Sequence, residues 1–304
     1  MTSPLNVAVI SRERDVRMAA ARAFDRAPSS WTVRLHESPP DDADVVVFGS
    51  DLRTEAEGGL IFDPVTSEPI VEQIKREIAA ARARAYVVTG AGRGVGVTSA
   101  ALHLAAVSTQ SHSTCFLDLN ETWSSARRLG IDADHLTWGD LPDEDDTNGR
   151  EPRSAALPVA GGFRALLPPG CFEPAELERA LRAAESEFDR VIVDSSDPET
   201  LASALDRAYA GVLLVPFSVP AAHRGAEVLR KHPDTRWAIV LNRLGPGGEL
   251  TRAEIHRVLE HPSTLELPCS PSLRDAEDDA RLLTSSWNRY LRKISMLLAA
   301  LEAA

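Results

Sequence analysis

Apolar and polar positions follow two rhythms along the chain, short apolar runs and longer segments with helical spacing. Near the start, the apolar runs predict strands at 6–10, 31–35 and 44–48, with an alanine-rich helix at 15–24 after the first strand. From residue 85 onward strands and helices alternate, which is typical of a mostly parallel sheet covered by helices on both faces. The predicted strands of this larger part are 86–89, 114–118, 190–194, 211–216 and 237–242, and its predicted helices are 98–107, 174–187, 199–208 and 221–232.

A polar stretch with several glycines and prolines separates these two parts, between residues 49 and 69. Stretches of this composition are typical of connections between domains. We therefore predict a small α/β domain at 1–65 and a doubly wound α/β domain at 66–304. One further helix is predicted at about 68–83, before the first strand of the large domain.

Composition narrows the classes of function. The net charge is −12 at pH 7, and an acidic surface repels the phosphate backbone of DNA, so nucleic-acid binding is not expected. The three cysteines have neither disulfide nor metal-ligand spacing, which favours a reducing compartment. No apolar run reaches the roughly 20 residues of a membrane helix. We expect a cytoplasmic protein whose partners are other proteins.

A glycine-rich segment, 90–99, lies between a predicted strand and a predicted helix. Glycines let backbone N–H groups face an anion, and the N-terminus of the following helix adds favourable electrostatics. Strand, loop and helix in this order are the setting in which such a loop binds phosphate. The predicted nucleotide-binding residues of the loop are Gly92, Arg93, Gly94, Val95, Gly96, Val97, Thr98 and Ser99.

The loop resembles the deviant Walker A motif of the MinD/ParA superfamily, whose general form is Lys-Gly-Gly-x-Gly-Lys-Thr-Thr/Ser. The glycines at 94 and 96 and the hydroxyl residues at 98 and 99 match that form. Gly92 stands where the superfamily has the lysine that reaches the partner subunit's nucleotide. Val97 replaces the lysine that contacts the β and γ phosphates. Arg93 adjoins the first vacant position, but a planar guanidinium does not reproduce the point charge of a lysine.

Because both lysines are missing, we predict that the protein still binds nucleotide but hydrolyses it slowly or not at all. A lost charge-assisted hydrogen bond costs about 1.5–3 kcal/mol. A missing donor toward developing charge slows a reaction by about 100- to 1000-fold. The motif therefore favours a degenerate ATPase that is not an efficient enzyme.

The resemblance extends to the ends of two further strands. Asp118 matches the first acid of an Asp-x-Asp motif that organises magnesium and the attacking water, whereas Asn120 replaces the second acid. Asp194 matches the Walker B acid, which faces the magnesium hydration shell. The resemblance thus implies ATP and Mg²⁺ as cofactors, with Thr98, Asp118 and Asp194 forming the metal site. An ordinary turn or helix-cap role for Asp194 is the alternative.

Asn242-Arg243, at the end of the last predicted strand, resembles the pair that holds adenine in the superfamily. An amide offers both the donor and the acceptor that an adenine edge needs. Without the resemblance, Asn242 reads as a turn residue.

The first 50 residues resemble a shortened receiver domain, of the kind that precedes the ATPase-like domain in CpaE/TadZ-type proteins. Receiver phosphorylation residues are missing, because Phe48 or Gly49 stands at the acceptor position and Ser11-Arg12 replaces the acidic pair. Asp51 follows the strand too late to serve. A docking or dimerisation face and a plain spacer are the two interpretations.

Apolar residues recur at helical spacing near the end of the chain, with Arg289, Arg292 and Lys293 on another side. This pattern predicts an amphipathic helix. The favoured interpretation is packing against the sheet, and the alternative is peripheral contact with an anionic membrane, as the C-terminal segment makes in MinD. The apolar residues are Trp287, Tyr290, Leu291, Ile294, Leu297, Leu298 and Leu301.

In total the chain resembles CpaE/TadZ-like and actinobacterial septum-site-determining proteins. The resemblance implies a homodimeric localisation factor with weak or absent ATPase activity, which positions a Tad/Flp pilus or secretion machinery at a cell pole. The alternative is a slow ATPase of cell division that cycles on the inner membrane and determines the septum site. Both interpretations predict protein partners from the machine concerned.

Overall fold

The computed structural model describes most of the chain, namely residues 5–27, 31–38, 40, 43–54, 56, 60–64, 70–71, 73–74, 83–120, 124–131, 137–141, 156–170, 172–242, 248–270, 273, 275–276 and 288–303. Contacts divide the chain into two compact units, Met1–Ala81 and Arg82–Ala304. This division falls later than the predicted boundary near residue 65. The reason is that Ile70, Val71 and Ile74 are buried in the core of the first unit.

Four parallel strands form the sheet of the first unit, in the order β2-β1-β3-β4. This order is that of the first four strands of a flavodoxin-like sheet. Apolar residues of β1, β3 and helix α1 meet in one core. The receiver-like character of this unit stays a prediction. The elements are β1 (Leu5–Ile10), α1 (Arg14–Ala23), β2 (Trp31–His36), β3 (Val45–Gly49) and β4 (Leu60–Phe62).

Gly49, which ends β3, is one of the two residues predicted at the acceptor position of a receiver domain. A Cβ atom on Gly49 would lie 2.4 Å from Asp51 Oδ1 and 2.8 Å from Ser11 Cβ, so no side chain fits there. Asp51 itself accepts hydrogen bonds from Ser11 Oγ and from the backbone N–H of Arg12, both at 2.8 Å. Its carboxylate therefore ties the end of β3 to the start of α1.

The second unit contains an eight-stranded sheet in the order β12-β11-β10-β5-β9-β6-β8-β7. Neighbouring strands are parallel except β7 and β8, which form an antiparallel pair at one edge. The strands are β5 (Arg84–Gly90), β6 (Thr114–Asp118), β7 (Leu157–Pro158), β8 (Arg164–Leu166), β9 (Arg190–Asp194), β10 (Ala210–Pro216), β11 (Trp237–Asn242) and β12 (Leu265–Leu267).

Helices cover both faces of this sheet. One face packs against α2 and α8, and the opposite face packs against α4 and α5 at one end and α6 and α7 at the other. The predicted doubly wound, mostly parallel α/β architecture is thus confirmed. The helices are α2 (Val97–Ser108), α3 (Ser124–Leu129), α4 (Pro174–Glu187), α5 (Pro198–Arg207), α6 (Val219–Lys231), α7 (Arg252–Leu259) and α8 (Asn288–Glu302).

The last helix, α8, turns its apolar side into the core, where Tyr290, Ile294 and Leu297 are at most 4% exposed. It packs against α2 and β12. The favoured packing interpretation agrees with these contacts, and membrane binding through the same face would require α8 to leave the core. Trp287 lies outside the described residues. None of the described helices combines the length and the apolar character needed to cross a bilayer.

Candidate nucleotide-binding site

The glycine-rich loop connects β5 to α2 at the carboxyl edge of the sheet. Gly94 and Gly96 have φ angles of 69° and 88°, a left-handed conformation that favours glycine. Ala91 N–H donates to the carbonyl of Leu214 on β10 at 2.8 Å and so fixes the start of the loop. The loop thus combines left-handed glycines with the N-terminus of a 12-residue helix, two features of phosphate-binding loops.

Val97 is the first residue of α2, and its side chain points into the core and is 8% exposed. Its Cγ2 atom would lie 2.7 Å from a Cβ atom on Gly90, and Val95 Cγ2 would lie 2.3 Å from the same point. The two valines therefore fill the space under the loop and pack with the apolar cluster on this face. Val97, the residue that the resemblance sets against the phosphate-contacting lysine, is thus a packing residue in this structure.

Asp118 and Asp194 end adjacent parallel strands and lie directly opposite each other in the register of β6 and β9. Both are almost completely buried, at 0% and 1% exposure. Burial, and after it the neighbouring charge of Asp194, raise the pKa of Asp118 to about 7. Burial likewise raises the pKa of Asp194, to about 6. The structure therefore brings together the two acids that the sequence placed at separate strand ends.

The carboxylate of Asp118 is fully engaged by the protein. Its Oδ1 accepts hydrogen bonds from the backbone N–H and the side-chain Nδ2 of Asn120, at 2.9 and 2.8 Å. Its Oδ2 accepts a short hydrogen bond from Ser125 Oγ on α3. These partners fix the orientation of Asp118 and occupy both of its oxygens.

Asn120 acts as a clip between the ends of β6 and β9. Besides its bonds to Asp118, its Nδ2 donates to the carbonyl of Asp194 at 3.3 Å. Its Oδ1 accepts from the backbone N–H of Ser196 at 3.1 Å and from the Ser196 hydroxyl. An aspartate at this position would lack the donor for both Asp118 and Asp194. The missing second acid is thus replaced by a structural amide.

Asp194 differs from Asp118, because both of its buried carboxylate oxygens lack a hydrogen bond of normal geometry within the described part of the chain. The Thr98 hydroxyl and the Asn120 amide are near enough to lower its pKa, but burial outweighs them. A buried carboxylate without partners is costly, and a hydrated cation would satisfy it. This residue, together with the Thr98 hydroxyl, fits a magnesium site better than a turn or cap role.

A cleft of about 650 Å³ opens beside the loop. One wall is the loop itself from Gly92 to Ser99, and the facing wall comes from the ends of β6 and β9 and from the starts of α4 and α5. A volume in this range suits a nucleotide-sized ligand. Among the described residues of the cleft, the cations are Arg93 on the loop and Arg128 on α3, and the charge of Arg128 lowers the pKa of Asp194. Arg128 could not be predicted from the sequence, because α3 carries no motif that singles it out.

The predicted adenine-binding pair is only partly described. Asn242 is 6% exposed, and its Nδ2 donates to the carbonyl of Val95 in the loop at 2.7 Å. The same nitrogen would lie 2.8 Å from a Cβ atom on Gly96, so the side chain rests against the loop backbone. In this structure Asn242 braces the loop, and adenine contact stays a prediction. Arg243 lies outside the described residues.

His103 occupies the first helix after the loop and serves packing. Its Nδ1 donates to the carbonyl of Ser99 at 2.7 Å, and its ring meets Tyr290 of α8 edge-on with centroids 5.2 Å apart. These contacts join α2 to α8 beneath the site. Ser99, the second hydroxyl residue of the motif, is itself 5% exposed.

No cluster of three histidine, cysteine, aspartate or glutamate side chains that could hold a metal by itself occurs within the described ranges. A magnesium ion at Asp194 would therefore depend on phosphate oxygens and water for most of its ligands, as is usual for this ion. The loop backbone, Thr98 and Asp194 are suited to hold a magnesium–nucleotide. The apolar side chain of Val97 is not.

No known protein-family model matches the chain, and no curated protein sequence is similar to it. Solved structures do match. A ParA family ATPase from Chlorobium tepidum TLS is 16% identical, with 71% of this chain and 98% of the other covered and a TM-score of 0.60. The large unit has the MinD/ParA fold.

Two MinD structures place the fold in the same group. MinD from Pyrococcus horikoshii OT3, solved in complex with Mg-ADP, is 14% identical, covers 72% of this chain and 96% of its own, and has a TM-score of 0.60. The MinC:MinD complex from Aquifex aeolicus is 14% identical, covers 73% and 96%, and has a TM-score of 0.58. At these identities the likeness establishes the MinD/ParA fold and nothing finer.

Proposed function

We propose that the protein is a nucleotide-binding localisation factor of the MinD/ParA type with weak or absent ATPase activity, which positions a Tad/Flp pilus or secretion machinery. One observation carries this proposal. The loop keeps its left-handed glycines and its helix N-terminus, yet the phosphate-contacting lysine is replaced by Val97, whose side chain is buried in the core. Such a loop retains backbone binding of phosphate and lacks the side chain that stabilises its transfer.

The chain's own residues account for binding without fast turnover. Loop N–H groups from 92 to 99 would hold the phosphates, and Thr98 and Asp194 would hold Mg²⁺, which when bound neutralises phosphate charge. Val97 supplies no cation to stabilise phosphoryl transfer, and both oxygens of Asp118 accept hydrogen bonds, from Asn120 and Ser125. A bound nucleotide that turns over slowly favours a long-lived state, which suits a scaffold.

Similar proteins support the partner part of the proposal. A MinD of this fold was solved with Mg-ADP, and another was solved in a complex with MinC. A net charge of −12 favours protein partners over DNA. We therefore include a homodimer, and recruitment of protein partners at a cell pole on the cytoplasmic side of the inner membrane, in the proposal.

The competing function is a slow ATPase of cell division that cycles on the membrane and determines the septum site. It requires Arg93 and Asp118 to support hydrolysis and the last helix to bind lipid. Both acceptor oxygens of Asp118 are engaged, and the apolar face of α8 is buried. These contacts favour the scaffold over the membrane-cycling enzyme.

Calorimetric titration with ATP and Mg²⁺, with hydrolysis followed on the same samples, tests the proposal. We expect binding in the micromolar range without hydrolysis above background. Val97→Lys should show measurable hydrolysis, because it returns a cation to the phosphate position. Val219→Lys is the matched control, since it adds the same charge at an exposed valine on α6 and should change neither quantity.

Four results would contradict the proposal. Absence of ATP binding would mean that the protein acts without nucleotide, through protein–protein contacts alone. Brisk hydrolysis by the natural chain would make it an enzyme. Magnesium-dependent binding to vesicles that contain anionic lipid would favour the septum alternative. A gel shift with DNA at physiological salt would instead indicate a partition function.

A further inference from the structure

Arg224 lies against the loop from a separate helix, α6, although it is remote from the loop in sequence. Its Nε donates a hydrogen bond to the carbonyl of Ala91 at 2.7 Å. Its Nη2 would lie 2.9 Å from a Cβ atom on Gly92 and its Cζ 3.4 Å from the same point. The guanidinium therefore covers the position at which Gly92 replaces the first lysine of the motif.

The contact is built into the packing of α6. Ala221 and Ala222 are fully buried against the sheet. A Cβ atom on Gly225 would lie 3.0 Å from Leu259 Cδ2 and 3.7 Å from Ala91 Cβ, so the helix approaches the loop closely at this turn. Because the neighbouring residue is held so near Ala91, the arginine at 224 reaches the loop backbone.

We propose that Arg224 supplies a cation in place of the first missing lysine and binds nucleotide phosphates from the Gly92 side of the loop. The inference rests on the proposed nucleotide-binding function and names a residue for it. An arginine that anchors its Nε on a backbone carbonyl keeps its outer N–H groups in a fixed fork, which matches phosphate oxygens. Gly92, which has no side chain, gives the fork access to the loop.

Other cations near the loop are placed differently. Arg93 projects from the exposed tip of the loop, and Arg128 lies on α3 across the cleft, where its charge acts on Asp194. Lys231, on the same helix as Arg224, pairs with Glu227 at 3.0 Å on the exposed face. Arg224 instead donates a hydrogen bond to the loop backbone, at the carbonyl of Ala91.

Binding of ATP with Mg²⁺, and of inorganic pyrophosphate, to the full chain tests this role in three variants. Arg224→Gln keeps an N–H donor for Ala91 and removes the charge, and we expect its affinity for both ligands to fall by about 10-fold or more. Arg224→Lys keeps the charge but loses the fork, so its affinity should lie between those of the natural chain and of Arg224→Gln. Arg230→Gln removes an exposed charge from the same helix and should bind as the natural chain does.

The thermal stability of the ligand-free variants separates binding from bracing. A phosphate-binding role predicts that Arg224→Gln unfolds at the temperature of the natural chain while binding more weakly. Equal affinity of Arg224→Gln and the natural chain would overturn the inference and leave the proposed function intact. Loss of affinity in both the Gln and the Lys variants, together with loss of stability, would show a structural brace and would also overturn it. Failure of the natural chain to bind either ligand would overturn both proposals together.

Discussion

Asp194 is a buried carboxylate whose two oxygens lack hydrogen bonds of normal geometry within the described residues. Its burial makes the stability of the protein depend on pH. Burial raises its pKa to about 6, from an ordinary value of 3.8. The folded protein therefore holds this proton more tightly than the unfolded chain does. Stability at this residue is greatest below pH 3.8 and falls as the pH rises toward 6, and the full penalty is present above that.

The first prediction follows from this sign. Asp194→Asn removes the charge and with it this pH-dependent penalty. The free energy of unfolding of Asp194→Asn minus that of the natural chain should therefore increase by on the order of 1 to 2 kcal/mol between pH 5 and pH 8. Urea denaturation of both proteins across this range, with chelator present, measures the difference. Asp206→Asn, at an exposed position on α5, is the control and should track the natural chain. A constant difference between Asp194→Asn and the natural chain at all pH values would refute the penalty.

Asn120 gives the second prediction. Asn120→Asp restores the acid of the superfamily motif, but it removes the donor to Asp118 and to the Asp194 carbonyl and adds a third negative charge. We expect a loss of stability of about 2–4 kcal/mol at pH 8, with part of it recovered as the pH is lowered. Asn120→Ala loses the hydrogen bonds without adding charge and should be less destabilised at pH 8. Chemical denaturation of the natural chain and the two variants measures these differences. Equal stability of Asn120→Asp and the natural chain would rule out the role of Asn120 as a clip.

Some residues of the site could be predicted from the sequence and others could not, for physical reasons. Asp118 and Asp194 were predictable because parallel strands bring their carboxyl ends to one edge of the sheet. Arg224 was not, because its contact depends on how closely α6 packs at Gly225. The inward direction of Val97 likewise depends on Gly90, which leaves space that only the folded loop reveals.

Among elements, the long buried strands were the easiest to predict. Strands 114–118, 190–194 and 237–242 are confirmed with the same bounds, because each is a continuous apolar run at the centre of the sheet or near it. The short strands β4, β7, β8 and β12 were missed, since two or three residues carry no periodicity. Pairing with a neighbour, and not local pattern, makes them strands.

The third prediction concerns α8. Leu297 is 1% exposed in the apolar cluster, whereas the adjacent Met296 is 51% exposed. Leu297→Ala should lower the free energy of unfolding by about 2–5 kcal/mol, and Met296→Ala by less than about 0.5 kcal/mol. Equilibrium denaturation of both variants tests the packing. If α8 were a membrane anchor, Leu297→Ala would instead leave stability unchanged and weaken binding to anionic vesicles.

At the scale of the whole molecule, the chain consists of two units that each have a hydrophobic core of their own. The described core of the first unit comes from residues before 75, and the clusters of the second come from residues after 84. The sequence predicted two domains but placed the division too early, because the residues around Ile74 have a helical pattern that either domain accommodates. Only burial shows to which core they belong.

The fourth prediction is that the fragment 82–304 folds and binds nucleotide without the first unit. Its sheet, its helices and all described residues of the cleft come from this part of the chain. A domain of this size buries enough apolar surface to be stable alone, whereas a fragment 1–81 is small enough to be marginal. We expect one cooperative thermal transition for the larger fragment and an affinity for ATP within about 2-fold of that of the full chain, since loop, Asp194 and Arg224 are all retained. Circular dichroism and calorimetry on the fragment test this. If it unfolds without cooperativity, or loses nucleotide binding while remaining folded, the first unit is part of the site's support and not a separate module.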